Sequence, residues 1–237
     1  MRVKICGITR PKQGSAIVEL GATALGFICV SASPRYVPIA RIVEICRTLP
    51  VWGAGEPESQ GAREIDLIGV FAKTSVDEIC RVVEATPLTG VQLHSDESPE
   101  YCQHVRSHLP HVELIKAFRV RRASDLDRLS DYCDVVDAVL LDAYDPQHLG
   151  GTGKTLNWES LQTFQFPCPW FLAGGLNPNN VNLALSQLTP DGIDLSSGVE
   201  RSPGDKDIEK VKRLFEALRD RFLEGEQGRG GARERGR

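Results

Sequence analysis

Short apolar runs rich in β-branched residues recur along this chain, each followed by a segment with helical spacing. That alternation constrains the fold more than any other feature. The runs are Arg2–Cys6, Ala24–Cys29, Ile65–Phe71, Thr89–Leu93, Val112–Ala117, Ala138–Asp142, Trp170–Ala173 and Gly192–Leu195. Between them lie helix-like patterns such as Ser75–Ala85, with apolar Val76, Ile79, Val82 and Val83, and Ile208–Phe222, with Val211, Leu214, Phe215 and Leu218. Most runs start about 22–25 residues apart, the length of one βα unit, so eight such units predict an α/β single-domain (β/α)8 TIM barrel. An open doubly wound sheet is the alternative, but no G-x-G-x-x-G follows the first run to support it.

The interval between the second and third runs is longer, and within it Val51–Arg63 reads VWGAGEPESQGAR. It has no periodicity and is expected to be a surface insertion on the N-terminal face, away from the chemistry. Glu224–Arg237 lacks apolar content, so the barrel is expected to span residues 1–223 and the Arg/Gly-rich remainder to be a disordered, solvated tail. A net charge of −4 argues against a general nucleic-acid binder. No apolar run approaches the roughly 18 residues of a membrane span. The seven cysteines show no C-x-x-C spacing, which indicates neither a disulfide framework nor a zinc site. MRVKICGIT lacks the apolar core of a secretory signal, so a reducing cytoplasm is the expected compartment. Oligomeric state is left open.

The segment Gly192–Asp207, GIDLSSGVERSPGDKD, has the character of a phosphate site. An apolar run stops at Asp194-Leu195, and Ser196, Ser197 and Gly198 follow, where backbone N–H groups and small side chains can close around an anion. Ala173-Gly174-Gly175, after Trp170-Phe171-Leu172, supplies a second loop of the same kind. In a barrel of this type, polar residues at the C-terminal ends of strands face the active site. That rule selects Cys6, Arg35, Gln92, His94, Asp142, Asp194, Ser196 and Ser197, with a flexible Leu149–Lys154 loop. Each has a plain alternative: a buried structural cysteine, a core imidazole, an aspartate capping a turn, an arginine paired with a surface carboxylate.

Taken together the motifs are more specific than any one of them. KICGIT, SPRYV, GVQLH, LLDA with GGTGKTLNW, AGGLNPNNV and DLSSGVE occur in this order. The chain closely resembles the phosphoribosylanthranilate isomerases of tryptophan biosynthesis, over nearly its whole length up to about Phe222. The resemblance implies an Amadori rearrangement of N-(5-phosphoribosyl)anthranilate to 1-(2-carboxyphenylamino)-1-deoxyribulose 5-phosphate. It makes Asp142 the general acid and Cys6 the general base, with Arg35 holding the anthranilate carboxylate and His94 lining the anthranilate side. Gly174, Gly175, Ser196, Ser197 and Gly198 would cradle the phosphate, Asp194 would bind sugar hydroxyls, and Gly151 to Gly153 would close over the substrate. No metal or cofactor is implied, because an iminium supplies the electron sink. As a base Cys6 must be a thiolate, so its pKa is expected below the free value of about 8.5.

Three departures from the family pattern stand out: Ser95 after GVQLH where glycine is usual, the Val51–Arg63 insertion, and the arginine-rich end. Two other functions compete. A related sugar-phosphate isomerase of histidine biosynthesis has the same reaction type but an aspartate where this chain has Cys6. A non-catalytic phosphate-binding barrel would have no reason to keep both Cys6 and Asp142.

Overall fold

A computed structural model of the chain describes residues 1–50, 65–143 and 158–230. Eight parallel strands close into a barrel in chain order: β1 Arg2–Cys6, β2 Ala24–Ile28, β3 Asp66–Phe71, β4 Gly90–Leu93, β5 Glu113–Val120, β6 Ala138–Ala143, β7 Trp170–Leu172 and β8 Gly192–Leu195. Each lies within a residue or two of its apolar run, except that β5 continues three residues further. The helices are α1 Pro11–Leu20, α2 Ile39–Arg47, α3 Val76–Glu84, α4 Pro99–His108, α5 Ser130–Cys133, α6 Glu159–Gln162, α7 Val181–Gln187 and α8 Ile208–Gly230. A small hairpin, β9 Glu200–Ser202 with β10 Asp205–Lys206, follows a 3-10 turn at Ser197–Val199. No described helix is long and apolar enough to cross a membrane.

Local chemistry explains the helix boundaries. Ser75 and Ser98 accept from the backbone N–H groups of Glu78 and Tyr101 and so cap α3 and α4. Gly21 ends α1 in the left-handed conformation, at φ 117°.

The two-residue period of a strand decides what the barrel encloses. On β1, Val3 and Ile5 join the large outer core beneath the helices, which turns Lys4 and Cys6 inward. Val91 and Leu93, Val139 and Leu141, and Ile193 and Leu195 join that outer core too, and Gln92, Asp142 and Asp194 alternate with them. Inside, Ile68, Ile115, Ala117, Ala138, Leu140, Phe171 and Ala173 form a compact apolar plug. At its N-terminal end Arg2 donates to Asp66 (2.6 Å) and to Glu113 (2.8 Å), with its guanidinium 5.0 Å from the centre of the Phe171 ring. The interior is therefore closed below and polar above.

One expectation needs correction. Cys133 and Cys168 are disulfide-bonded, Cα to Cα 5.6 Å, joining the end of α5 to the segment before β7. They lie 35 residues apart, and a bridge made by tertiary proximity leaves no spacing signature. The backbone of α8 is helical as far as Gly230, so this helix runs into the segment expected as a tail. Val211, Leu214, Phe215 and Leu218 anchor this helix in the core. The expected insertion at Val51–Arg63 and the last seven residues, 231–237, lie outside the described residues.

Candidate active site

The C-terminal ends of the strands surround a cavity of about 340 Å³, within the usual range for a small-molecule site. Cys6 enters it from β1, Arg35 from the loop after β2, and Gln92 and His94 from the end of β4. Asp142 comes from β6, Gly174 and Gly175 from the loop after β7, and Asp194, Ser196, Ser197 and Gly198 from β8 and its turn. Every expected site residue within the described residues thus lines one cavity. Gly151 and Gly153 lie outside them.

A buried polar chain crosses the floor. Lys4 Nζ donates to Asp194 Oδ1 (3.1 Å) and to Gln92 Oε1 (2.9 Å). Gln92 Nε2 lies 2.8 Å from His94 Nδ1, and His94 Nε2 lies 3.4 Å from Asp142 Oδ2. Burial alone would lower the Lys4 ammonium, but the Asp194 carboxylate and Cys6 hold it above its ordinary value. Cys6 behaves otherwise than its assigned role requires. Burial pushes its thiol up, and the nearby positive charges of Lys4 and Lys206 offset this only in part. Desolvation disfavours the thiolate, and Asp194 adds like charge. Gly26 makes room for the sulfur, since a Cβ built on Gly26 would lie 2.6 Å from Cys6 Sγ.

Arg35 is not a free fork. Its Nε and Nη2 donate to the Glu200 carboxylate at 3.0 and 2.8 Å, and Lys206 Nζ donates to the same carboxylate at 2.8 Å. Arg35 thus pairs with a carboxylate, though a buried one, while still bordering the cavity. Nη1 makes no hydrogen bond among the described residues, so one edge of the guanidinium is available to a ligand. Burial pulls the Lys206 ammonium below its ordinary value in spite of Glu200.

The small-residue loops meet tightly. A Cβ on Gly198 would lie 1.9 Å from the carbonyl oxygen of Leu176, so only glycine lets the turn after β8 lie against the loop after β7. Gly174 and Gly175 take positive φ, 82° and 65°. Ser95, the departure after GVQLH, is held by its backbone: its carbonyl accepts from Lys116 Nζ at 2.6 Å and its N–H donates to Glu97 at 2.9 Å.

Lys4, Glu200 and Lys206 were missed as site residues. The signal for Lys4 was present, because a strand residue two before Cys6 shares its face. Glu200 and Lys206 lie inside the DLSSGVE-x-x-PG-x-KD motif, where only Asp194 and the small residues Ser196, Ser197 and Gly198 were expected to bind.

The comparisons with known proteins agree with this geometry. Residues 3–217 match the family model described as N-(5'-phosphoribosyl)anthranilate isomerase. The chain belongs to that family. Among its relatives, the N-(5'-phosphoribosyl)anthranilate isomerase of Acaryochloris marina is 58% identical over 219 residues, 92% of this chain and 98% of that protein. The phosphoribosyl anthranilate isomerase of Thermotoga maritima superposes with a TM-score of 0.80 at 33% identity, covering 93% of this chain and 99% of that one. Another isomerase of the family, with a TM-score of 0.73 and 29% identity over 93% of this chain and 99% of its own, was solved in complex with reduced 1-(o-carboxyphenylamino)-1-deoxyribulose 5-phosphate.

Proposed function

We propose that this chain is the isomerase of tryptophan biosynthesis that converts N-(5-phosphoribosyl)anthranilate to 1-(2-carboxyphenylamino)-1-deoxyribulose 5-phosphate, with Asp142 as general acid and Cys6 as general base. Asp142 gives a proton to the furanose ring oxygen as the C1–O bond breaks, and the anilino nitrogen's lone pair forms the iminium. Cys6, as thiolate, takes the C2 proton, and the electrons of that C–H bond neutralise the iminium to give an enolamine. The enolamine tautomerises to the ketone. Asp142 is left ionised and Cys6 protonated, and both exchange protons with solvent before the next turnover. Two groups in complementary protonation states suffice for this sequence.

One observation carries the reading: Cys6 and Asp142 open onto the same cavity, and the small-residue loops after β7 and β8 lie between their strands in the ring. Backbone N–H groups of Gly174, Gly175, Ser196, Ser197 and Gly198 hold the phosphate there. Asp194, paired with Lys4 at 3.1 Å, accepts from sugar hydroxyls. Arg35 offers Nη1 to the anthranilate carboxylate while Glu200 fixes its other edge. The ligand in the related complex, an aryl amine joined to a sugar phosphate, has the three parts these groups require. The chemistry also needs a free Cys6 thiol, and Cys6 is unpaired and buried.

Purified protein mixed with phosphoribosylanthranilate should quench its fluorescence catalytically. No conversion with enzyme in excess would sink the proposal, and conversion by the Cys6→Ala, Asp142→Asn double variant would sink the residue roles.

A further inference from the structure

Gln92 sits between Lys4 and His94, and the capacities of its neighbours leave its amide a single orientation. A lysine ammonium has donors only, so the Gln92 atom facing it at 2.9 Å is the carbonyl oxygen. The amide NH2 then faces His94 Nδ1, 2.8 Å away. An NH2 group only donates, so Nδ1 is the acceptor and the proton of the neutral imidazole is on Nε2. That Nε2 is buried, has no hydrogen-bond partner among the described residues, and lies 3.4 Å from Asp142 Oδ2.

We propose that Gln92 is a positioning residue for the reaction: it holds His94 as the Nε2–H tautomer, so that a proton donor waits beside Asp142 where negative charge appears. The catalytic part rests on the reading of Asp142 as the general acid. While the carboxyl keeps its proton, Nε2–H faces a weak acceptor. Once that proton has gone to the ring oxygen, the same contact becomes a charge-assisted hydrogen bond. An interaction that strengthens along the reaction coordinate lowers the barrier, whereas one of constant strength only tightens binding. The donor facing Oδ2 also leaves Oδ1 as the oxygen that carries the transferable proton. Lys4, anchored on Asp194 at 3.1 Å, fixes the far end of the chain.

Nitrogen-15 NMR of histidine-labelled protein reads the tautomer without any turnover. The wild type should show Nδ1 unprotonated. Gln92→Met should mix the tautomers, and the isosteric Gln92→Glu, which still accepts from Lys4, should draw a proton onto Nδ1. Gln92→Met should lower kcat about 10–100-fold, the worth of a hydrogen bond to a charged group, with KM little changed. His94→Asn should do the same, and the two losses should not add in the double variant. A proton on Nδ1 in the wild type, or additive losses, with Asp142→Asn inactive, would overturn this proposal alone. Wild-type turnover in Asp142→Asn would instead overturn the acid assignment, and the catalytic part of the proposal with it.

Discussion

Arg35 and Glu200 grip each other across the edge of the cavity, Nη2 to Oε2 at 2.8 Å, although 165 residues separate them in sequence. The same carboxylate accepts from Lys206, so one anion organises two cations beside the substrate space. Burial by itself would push the Glu200 carboxyl up, but Arg35 and Lys206 hold it below its ordinary value of 4.5.

That direction fixes how Glu200 links stability to pH. A depressed carboxyl contributes stability that is fully present above 4.5 and is lost as pH falls through the lower folded value. Glu200→Gln should therefore flatten the acid side of a plot of Tm against pH. It should also lower stability near neutrality by about 3–5 kcal/mol, because the buried Lys206 and the partly buried Arg35 lose their partner. Thermal melts from pH 3 to 7, with urea melts at pH 7 for the stability difference, test this, and equal acid slopes in the two proteins would refute it.

Cys6→Ala and Asp142→Asn should each lower kcat by at least about 100-fold while the protein stays folded. Because burial raises the Cys6 thiol above 9.0, the thiolate fraction, and with it kcat/KM, should still be rising at pH 8. Cys6→Asp should keep partial activity and shift this rise to lower pH, since a carboxylate ionises earlier. Iodoacetamide should inactivate the wild type faster as pH rises, and substrate should protect it. A rise at the same pH in Cys6→Asp would assign the titration to another group.

Gly26→Ala places a methyl group 2.6 Å from Cys6 Sγ, well inside contact distance. The sulfur must move, and displacing a reacting group by about 1 Å can cost roughly 100-fold in rate. The variant should lose kcat about 10–100-fold with KM nearly unchanged. Normal kcat in a folded variant would show that the sulfur's position does not matter.

Ser197→Glu should bring a carboxylate to the phosphate loops. Like-charge repulsion should raise KM and abolish competitive inhibition by inorganic phosphate, with less effect on kcat. Persistent phosphate inhibition at the wild-type constant would move the phosphate elsewhere.

The barrel was legible because eight apolar runs repeat at the length of one βα unit, and the site because strand ends in this fold converge. Cys6, His94, Asp142 and Asp194 could be found from that rule alone. Lys4 was harder, because a lysine in a short strand reads as a surface residue until its partners Asp194 and Gln92 are known. The Arg35–Glu200 pair and the Cys133–Cys168 bridge join positions that no local pattern relates. The direction of the Cys6 shift depends on burial against two cations, and a sequence states neither depth nor distance.

Arg2, Asp66, Glu113 and the Phe171 ring stopper the barrel beneath its apolar plug. Among the described residues the barrel is therefore a flask with one neck. What enters as a cyclic sugar must leave as an open-chain ketone by the same opening, and no second molecule can follow from behind to push it out. Product outside thus competes with substrate for the cavity itself, and its departure through that neck is a separate step that faster proton transfer does not shorten.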